Sequence, residues 1–393
     1  MFFLVFLLLF APRIYGTFFD LITFTSILII LYATYIKVNV NLNVIFTIIA
    51  ISIINVFWLI GGLNSESPQT YLYQPIRIPL EFLGIYFLFE IHKKTDTNNA
   101  GMKFIRYIYL SIVLHSFIMI LQFINDDFRQ LSMSFTGAYN LLNKDGSIYD
   151  GRRVVGLTYG QSLLSVIQSF GIFLLLFLRD NGEKGLLFNR LFYLVILFSI
   201  IISGRTGLLI LLGFLPFYYL LKSNNKIAAV LIISVSLFFS IWFLSFIIND
   251  FCNIFQCNNK IQYQIYRLEE IYNIVTKMNS IIFQIIFFEL KIPNENILFG
   301  GLSTHIEPGY FRDLYEGGLI YVCLKSSLFL FFLFFSFLML FHKKIYIFVP
   351  FIIMSILISH LKEPAIFSRG VWTFMSLMIV FLLNSKFITN EKK

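Results

Sequence analysis

Apolar runs long enough to cross a bilayer recur along almost the whole chain, separated by short polar turns. A hydrocarbon core about 30 Å thick takes roughly 20 apolar residues per helix. By that measure the pattern predicts spans near 1–12, 17–36, 43–61, 75–91, 104–124, 159–178, 190–203, 206–221, 226–248, 318–341, 345–360 and 370–384. Several are short, so the expectation is an all-α polytopic helix bundle of ten to twelve crossings. The whole of 1–393 reads as one membrane domain, with 249–317 a large loop on one face containing short helices. Inside that loop, residues 261–278 place Ile261, Ile265, Leu268, Ile271 and Val275 at helical spacing, with Arg267, Glu269 and Glu270 elsewhere. This predicts an amphipathic helix lying on the membrane face or on the bundle. The opening MFFLVFLLLFAPRIYG lacks the basic start and small-residue cleavage site of a signal peptide, and predicts an uncleaved short helix.

Composition agrees with the pattern. The chain is 58% hydrophobic and 13% charged, against roughly 45–50% and 25% for soluble domains. A net charge of +9 would suit nucleic acid, but lysines in a membrane protein serve topology, and no nucleic-acid partner is expected. Cys252 and Cys257 fall in the large loop, where a bridge and two free thiols are equally open readings, and Cys323 lies alone in a span.

The location of the charges carries more than their sum. Lys93, Lys94, Lys103, Lys222, Lys226, Lys343, Lys344 and the C-terminal lysines alternate onto one side, which the positive-inside rule makes cytoplasmic, with both termini inside. That side holds twelve lysines and three arginines; the other holds six lysines and nine arginines. Topology needs only positive charge, whereas arginine adds a planar fork that grips phosphate bidentately. Its excess on the outer side points to an anionic ligand there. Arg205 sits in SGRTG, interrupting an apolar stretch from about 190 to 221; Arg152 and Arg153 open GRRVVGLTYG; Arg369 follows KEPAIFS between the last two spans. A charge in such a setting lines a wet cavity, binds something, or snorkels to headgroups. Arg77 and Glu81, four apart, predict a structural ion pair on one helix face. His115 reads as an interhelical hydrogen bond, and His92, His342 and His360 at span edges receive no role.

The polar stretch 297–320, ILFGGLSTHIEPGYFRDLYEGGLI, concentrates a histidine, an arginine and three carboxylates just before a span. Together with SGRTG and RRVVGLT, its H-x-E-x-G-Y ending and Gly-Gly span start resemble the superfamily of O-antigen polymerases and O-antigen ligases. The resemblance implies a lipid-linked glycosyltransferase of the bacterial inner membrane, working at its periplasmic face. A polymerase of this kind moves the growing glycan from undecaprenyl pyrophosphate to a new carrier-linked repeat unit; a ligase passes the finished glycan to lipid A–core. Family ligases have a longer, more polar late loop than this chain, which favours the polymerase. The implied partners are the undecaprenyl-pyrophosphate-linked oligosaccharide, membrane lipid and a chain-length regulator. No cofactor and no metal is expected, and the sequence carries no HExxH, DxD or phosphate-binding glycine loop. A pyrophosphate leaving group needs cations, for which Arg152, Arg153, Arg205, Arg312 and Arg369 are candidates. The acceptor hydroxyl needs a base, for which His305 is the candidate, with Glu307 orienting it or replacing it. Tyr310 is a candidate sugar contact. A flippase or exporter is the rival reading from another class, but no repeated halves are visible in the sequence.

Overall fold

The computed structural model describes residues 1–12, 20–63, 69–96, 100–136, 154–157, 161–183, 185, 190–223, 225–227, 230, 259–276, 297–301, 309–342, 346–362, 365–368 and 370–384. All regular structure among them is helical, thirteen helices in two compact units. Unit 1 comprises Met1–Ser111 and Leu290–Lys393, and unit 2 comprises Ile112–Glu289. Five helices are long and apolar enough to cross a bilayer among the described residues, and four more are apolar but shorter. The chain is a helical membrane protein. Apart from residues 226, 227 and 230, the predicted span at 226–248 lies outside the described residues, as does the pair Cys252 and Cys257.

Unit 1 contains α1 (Phe2–Phe10), α2 (Leu21–Tyr35), α3 (Leu42–Leu63), α4 (Gln69–Thr95) and the first half of α5 (Ala100–Ile124). After the return of the chain come α11 (Gly309–Phe341), α12 (Phe348–Lys362) and α13 (Val371–Leu383). α4 packs against α2, α3 and α13, while α11 packs against α3 and α12. α13 is apolar on every side and buried on every side from Val371 to Leu382, as expected of a helix enclosed by others. By contrast α2, α3 and α11 turn an apolar face outward, with Leu31, Phe46, Ile49, Phe331 and Phe334 among its exposed residues. Such a face is a liability in water and ordinary in lipid. The predicted N-terminal helix is α1, which packs on α2 and α13.

Unit 2 contains the second half of α5, then α6 (Asp126–Ser134), α7 (Gln161–Asp180), α8 (Arg190–Ser203), α9 (Arg205–Lys222) and α10 (Asn259–Thr276). α7 packs against α8 and α9. Gly207 permits this: a Cβ there would lie 2.1 Å from the Ser165 carbonyl oxygen. His115 is the interhelical bond its position predicts, with Nδ1 2.8 Å from the Gln168 side-chain amide on α7. Buried serines such as Ser116, Ser199 and Ser203 return their hydroxyls to carbonyls of their own helix, which satisfies them where no water reaches.

The amphipathic segment forms α10 and rests on the bundle through α9. Along it Gln264 is buried, Ile265 and Leu268 are half-buried and Ile261 is exposed. Lys260 anchors its start by reaching Asp126 at 2.6 Å. An apolar side chain that faces lipid has no need of burial, so the stripe does not dictate the rotation of the helix.

Candidate functional site

The most polar interior in unit 1 is built by a break in α11. Gly318 has φ 81° and ψ 172°, so the helix stops at Gly317 and restarts beyond it. This conformation belongs to glycine alone. The break frees backbone groups, and the strap 297–301 takes them up: Leu319 N–H donates to Ile297 O at 2.8 Å and Gly301 N–H donates to Glu316 O at 3.0 Å. Irregular backbone at membrane depth is tolerated when protein satisfies it in this way. Gly61 on α3 closes the other side, because a Cβ there would lie 2.4 Å from Glu316 O.

The consequence is an ion pair that a straight helix forbids. Residues twelve apart in an unbroken helix are about 18 Å apart along its axis, yet Lys325 Nζ lies 2.6 Å from Asp313 Oδ2. The break folds the first segment back over the second. His360, from α12, joins them with Nε2 2.8 Å from the same Oδ2. Its other nitrogen, Nδ1, accepts the Ala365 N–H at 3.1 Å. A backbone N–H can only donate, so Nδ1 carries a lone pair and the imidazole proton sits on Nε2, facing Asp313. All three side chains are at least nine-tenths buried. The Lys325 ammonium also lies over the rings of Phe367 at 4.7 Å and Tyr321 at 5.2 Å, an arrangement that replaces part of its lost hydration.

A second layer of polar groups surrounds this cluster. Arg312 Nε donates to Glu316 Oε1 at 2.8 Å. The Tyr321 hydroxyl accepts from Gln74 Nε2 at 3.3 Å, and its ring packs on Trp58. Arg77 and Glu81 form the predicted pair at 3.8 Å, both buried, and the guanidinium also donates to the Phe367 carbonyl. Trp372 Nε1 donates to Ile78 O at 3.0 Å. The turn between α12 and α13 is thus held through Ala365, Phe367 and the start of α13. Lysines gather at the opposite end of unit 1, where Lys93 pairs with Glu90 and Lys94 reaches the Lys37 carbonyl.

In unit 2 the backbone that follows Arg153 bonds to the end of α8, just before the SGRTG motif. Gly204 ends the predicted apolar stretch in extended backbone, and Arg205 opens α9, half-buried. The strap 154–157, which directly follows Arg152 and Arg153, is pinned from several sides. Val154 N–H donates to Ile202 O at 3.3 Å, just before Gly204. Gly156 exchanges two hydrogen bonds with the Gln122 side chain, and Leu157 N–H donates to His115 Nε2 at 3.1 Å. Outside the spans, Asp126 receives Lys260 and Arg129, and these bonds, the Lys260 one foremost, hold its carboxyl below its ordinary value.

Of the candidate phosphate, sugar and base residues read from sequence, Arg205, Tyr310 and Arg312 are described. Tyr310 is half-buried and stacks obliquely on Phe311, with ring centres 4.4 Å apart. Arg152, Arg153, His305, Glu307 and Arg369 lie outside the described residues. Sequence reasoning passed over Asp313 and Lys325 and gave His360 no role. One signal was available, a lysine seven residues into the apolar run that starts at Gly318. No group of three or more His, Cys, Asp or Glu side chains among the described residues is arranged to hold a metal ion. Comparison with protein-family models, with curated proteins and with solved structures gives no match.

Proposed function

We propose that the chain is a repeat-unit polymerase of a bacterial surface polysaccharide, a lipid-linked glycosyltransferase acting at the periplasmic face of the inner membrane. The observation that carries this reading is the junction in unit 2, where the backbone following Arg153 hydrogen-bonds to the carbonyl of Ile202 just before Arg205. It draws together two sequence motifs some fifty residues apart, both arginine-bearing and both flanked by glycine. Their convergence suits a pyrophosphate, which takes several forked donors and gains negative charge as the glycan leaves. The apolar outer faces suit a polyprenyl tail, and the resemblance of the motifs names the class of reaction.

Arg152, Arg153 and Arg205 are the proposed clamp, with Arg312 and Arg369 further candidates for the phosphate or the glycan and Tyr310 for sugar stacking. His305 and Glu307 are the loop candidates for the base. The test is elongation by the purified protein in liposomes, supplied only with carrier-linked repeat units extracted from cells that lack the chain. The expected result is a ladder of lengthening glycan without nucleotide sugar. Movement of repeat units across the bilayer without any lengthening would replace the polymerase with an exporter.

A further inference from the structure

Two buried side chains of α5 hold the strap 154–157 where it meets the end of α8. Gln122 Oε1 accepts the Gly156 N–H at 3.0 Å, and its Nε2 donates to Gly156 O at 2.9 Å and to Ser132 Oγ at 2.7 Å. His115, about two turns earlier on the same helix, accepts the Leu157 N–H at Nε2. A backbone N–H can only donate, so the ring proton sits on Nδ1 and the imidazole is neutral. The Gln168 amide therefore turns its oxygen to Nδ1 and its NH2 to Ser116 and Ser199. The hydroxyl protons of those serines go to the carbonyls of Ile112 and Ile196. Only glycine fits at 156, where φ is 60° and a Cβ would lie 2.4 Å from the imidazole. Val154 completes the seat by packing with Met119, Leu164 and Ile202.

We infer that His115 and Gln122 are positioning residues for the pyrophosphate clamp, holding the main chain that follows Arg153 in register with the start of α9. This rests on the polymerase reading and adds to it the part of the bundle that aligns its arginines. Both side chains are fully buried and neither is charged, so neither draws an anion by itself. What they fix is backbone. Val154 N is joined to the Arg153 carbonyl carbon by a peptide bond about 1.33 Å long, and its N–H reaches Ile202 O, three residues before Arg205. Gln122 suits the task because its amide both donates to and accepts from Gly156, which sets the register of the strap as well as its depth. A forked arginine contact depends on the orientation of the fork. A displacement of about 1 Å at such a site costs roughly 10²-fold in rate.

The test is binding of undecaprenyl pyrophosphate to the purified full chain in detergent, alongside elongation in liposomes. Gln122→Met keeps the length of the side chain and removes its bonds to the strap. It should raise Kd about tenfold or more, the worth of one lost charge-assisted hydrogen bond, and lower kcat/KM roughly 10²-fold. In an Arg152→Ala/Arg153→Ala background the same change should add little to Kd, because nothing is left to align. An equal effect in both backgrounds makes Gln122 merely structural and overturns the inference, as does a wild-type Kd in Gln122→Met. His115→Gln keeps an acceptor for the Leu157 N–H and should bind close to the wild type, whereas His115→Phe should bind like Gln122→Met. That pair decides if Gln122→Met fails to fold, and equal binding by its two members also overturns the inference. Ser169→Ala, which removes a buried hydroxyl bonded within α7, is the control and should keep the wild-type Kd. With wild-type elongation intact, each of these failures leaves the polymerase reading standing. A wild type that binds the lipid without elongating repeat units, with the variants ordered as above, retains the inference for a pyrophosphate-lipid site while the polymerase reading falls. A wild type that neither binds nor elongates overturns both.

Discussion

Replacing Gly318 by alanine should dismantle the polar site from its backbone outward. The residue sits at φ 81°, where a side chain is strained whatever the space, and here there is none. A Cβ would lie 2.4 Å from Leu298 O, 2.5 Å from the Phe299 carbonyl carbon and 2.6 Å from Gly300 N. These are backbone atoms of the strap, so no rotamer change relieves the clash. Holding a non-glycine residue in a sparsely populated backbone region costs about 1–3 kcal/mol. Displacing the strap also forfeits the bonds from Leu319 N–H and Gly301 N–H, each contributing about 0.5–1.5 kcal/mol. The combined loss is roughly 2–6 kcal/mol, and it falls on the segment that brings Asp313 to Lys325. The assay is thermal melting of purified protein in detergent, with Gly213→Ala as control. Gly213 lies within α9 and a Cβ there meets nothing within 4 Å, so alanine at that position should leave Tm unchanged or raise it. A Gly318→Ala protein that melts with the wild type would refute the claim that the break is imposed by this glycine.

Three further outcomes follow from the same geometry. Lys325→Met strands the Asp313 charge in the interior and should cost about 3–5 kcal/mol, whereas Asp313→Asn/Lys325→Met should melt close to the wild type; a double-mutant cycle in chemical denaturant reads the difference. Arg205→Ala should abolish polymer with the protein still inserted, and Arg205→Lys should rescue it poorly, because a point charge does not replace a fork; full elongation by Arg205→Ala would remove that residue from the clamp. The depressed carboxyl of Asp126 stabilises the α6–α10 junction above the ordinary aspartate value of 3.8, and that contribution is lost as pH falls below it through the folded value. The protection factors of α10 amides, which are exchange rates corrected for the intrinsic rate at each pH, should therefore fall in acid in the wild type, and much less so in Lys260→Met, which lacks the bond from the start.

The helices were legible in the sequence because lipid imposes one rule on every span, a run of about 20 apolar residues. Ends were blurred where polar residues continue a helix past the apolar run, as Gln69–Tyr73 and His92–Thr95 do on α4. The break at Gly317–Gly318 was legible as a span start, and SGRTG as the interruption between α8 and α9. The Asp313–Lys325–His360 cluster was not. Helical spacing sets residues 313 and 325 three turns apart, and only the fold-back at Gly318 reverses that. His360 comes from another helix, and no periodicity links it to either partner. Arginine motifs were found individually, but their approach depends on a main-chain bond from Val154 to Ile202, which side-chain patterns do not encode. The amphipathic segment was legible as α10, but its rotation was not, since in a membrane an apolar stripe can face lipid as well as protein.

The most direct test of the polymerase reading is deletion of the gene in its host, followed by electrophoresis of the surface lipopolysaccharide or capsule. The account predicts a core carrying a single repeat unit with no ladder above it, and a ladder restored by the wild-type gene but not by Arg205→Ala. An undiminished ladder in the deletion strain would contradict it. Bare core with long chains held on the carrier would instead assign the chain to ligation, and bare core with single repeat units stranded inside would assign it to export.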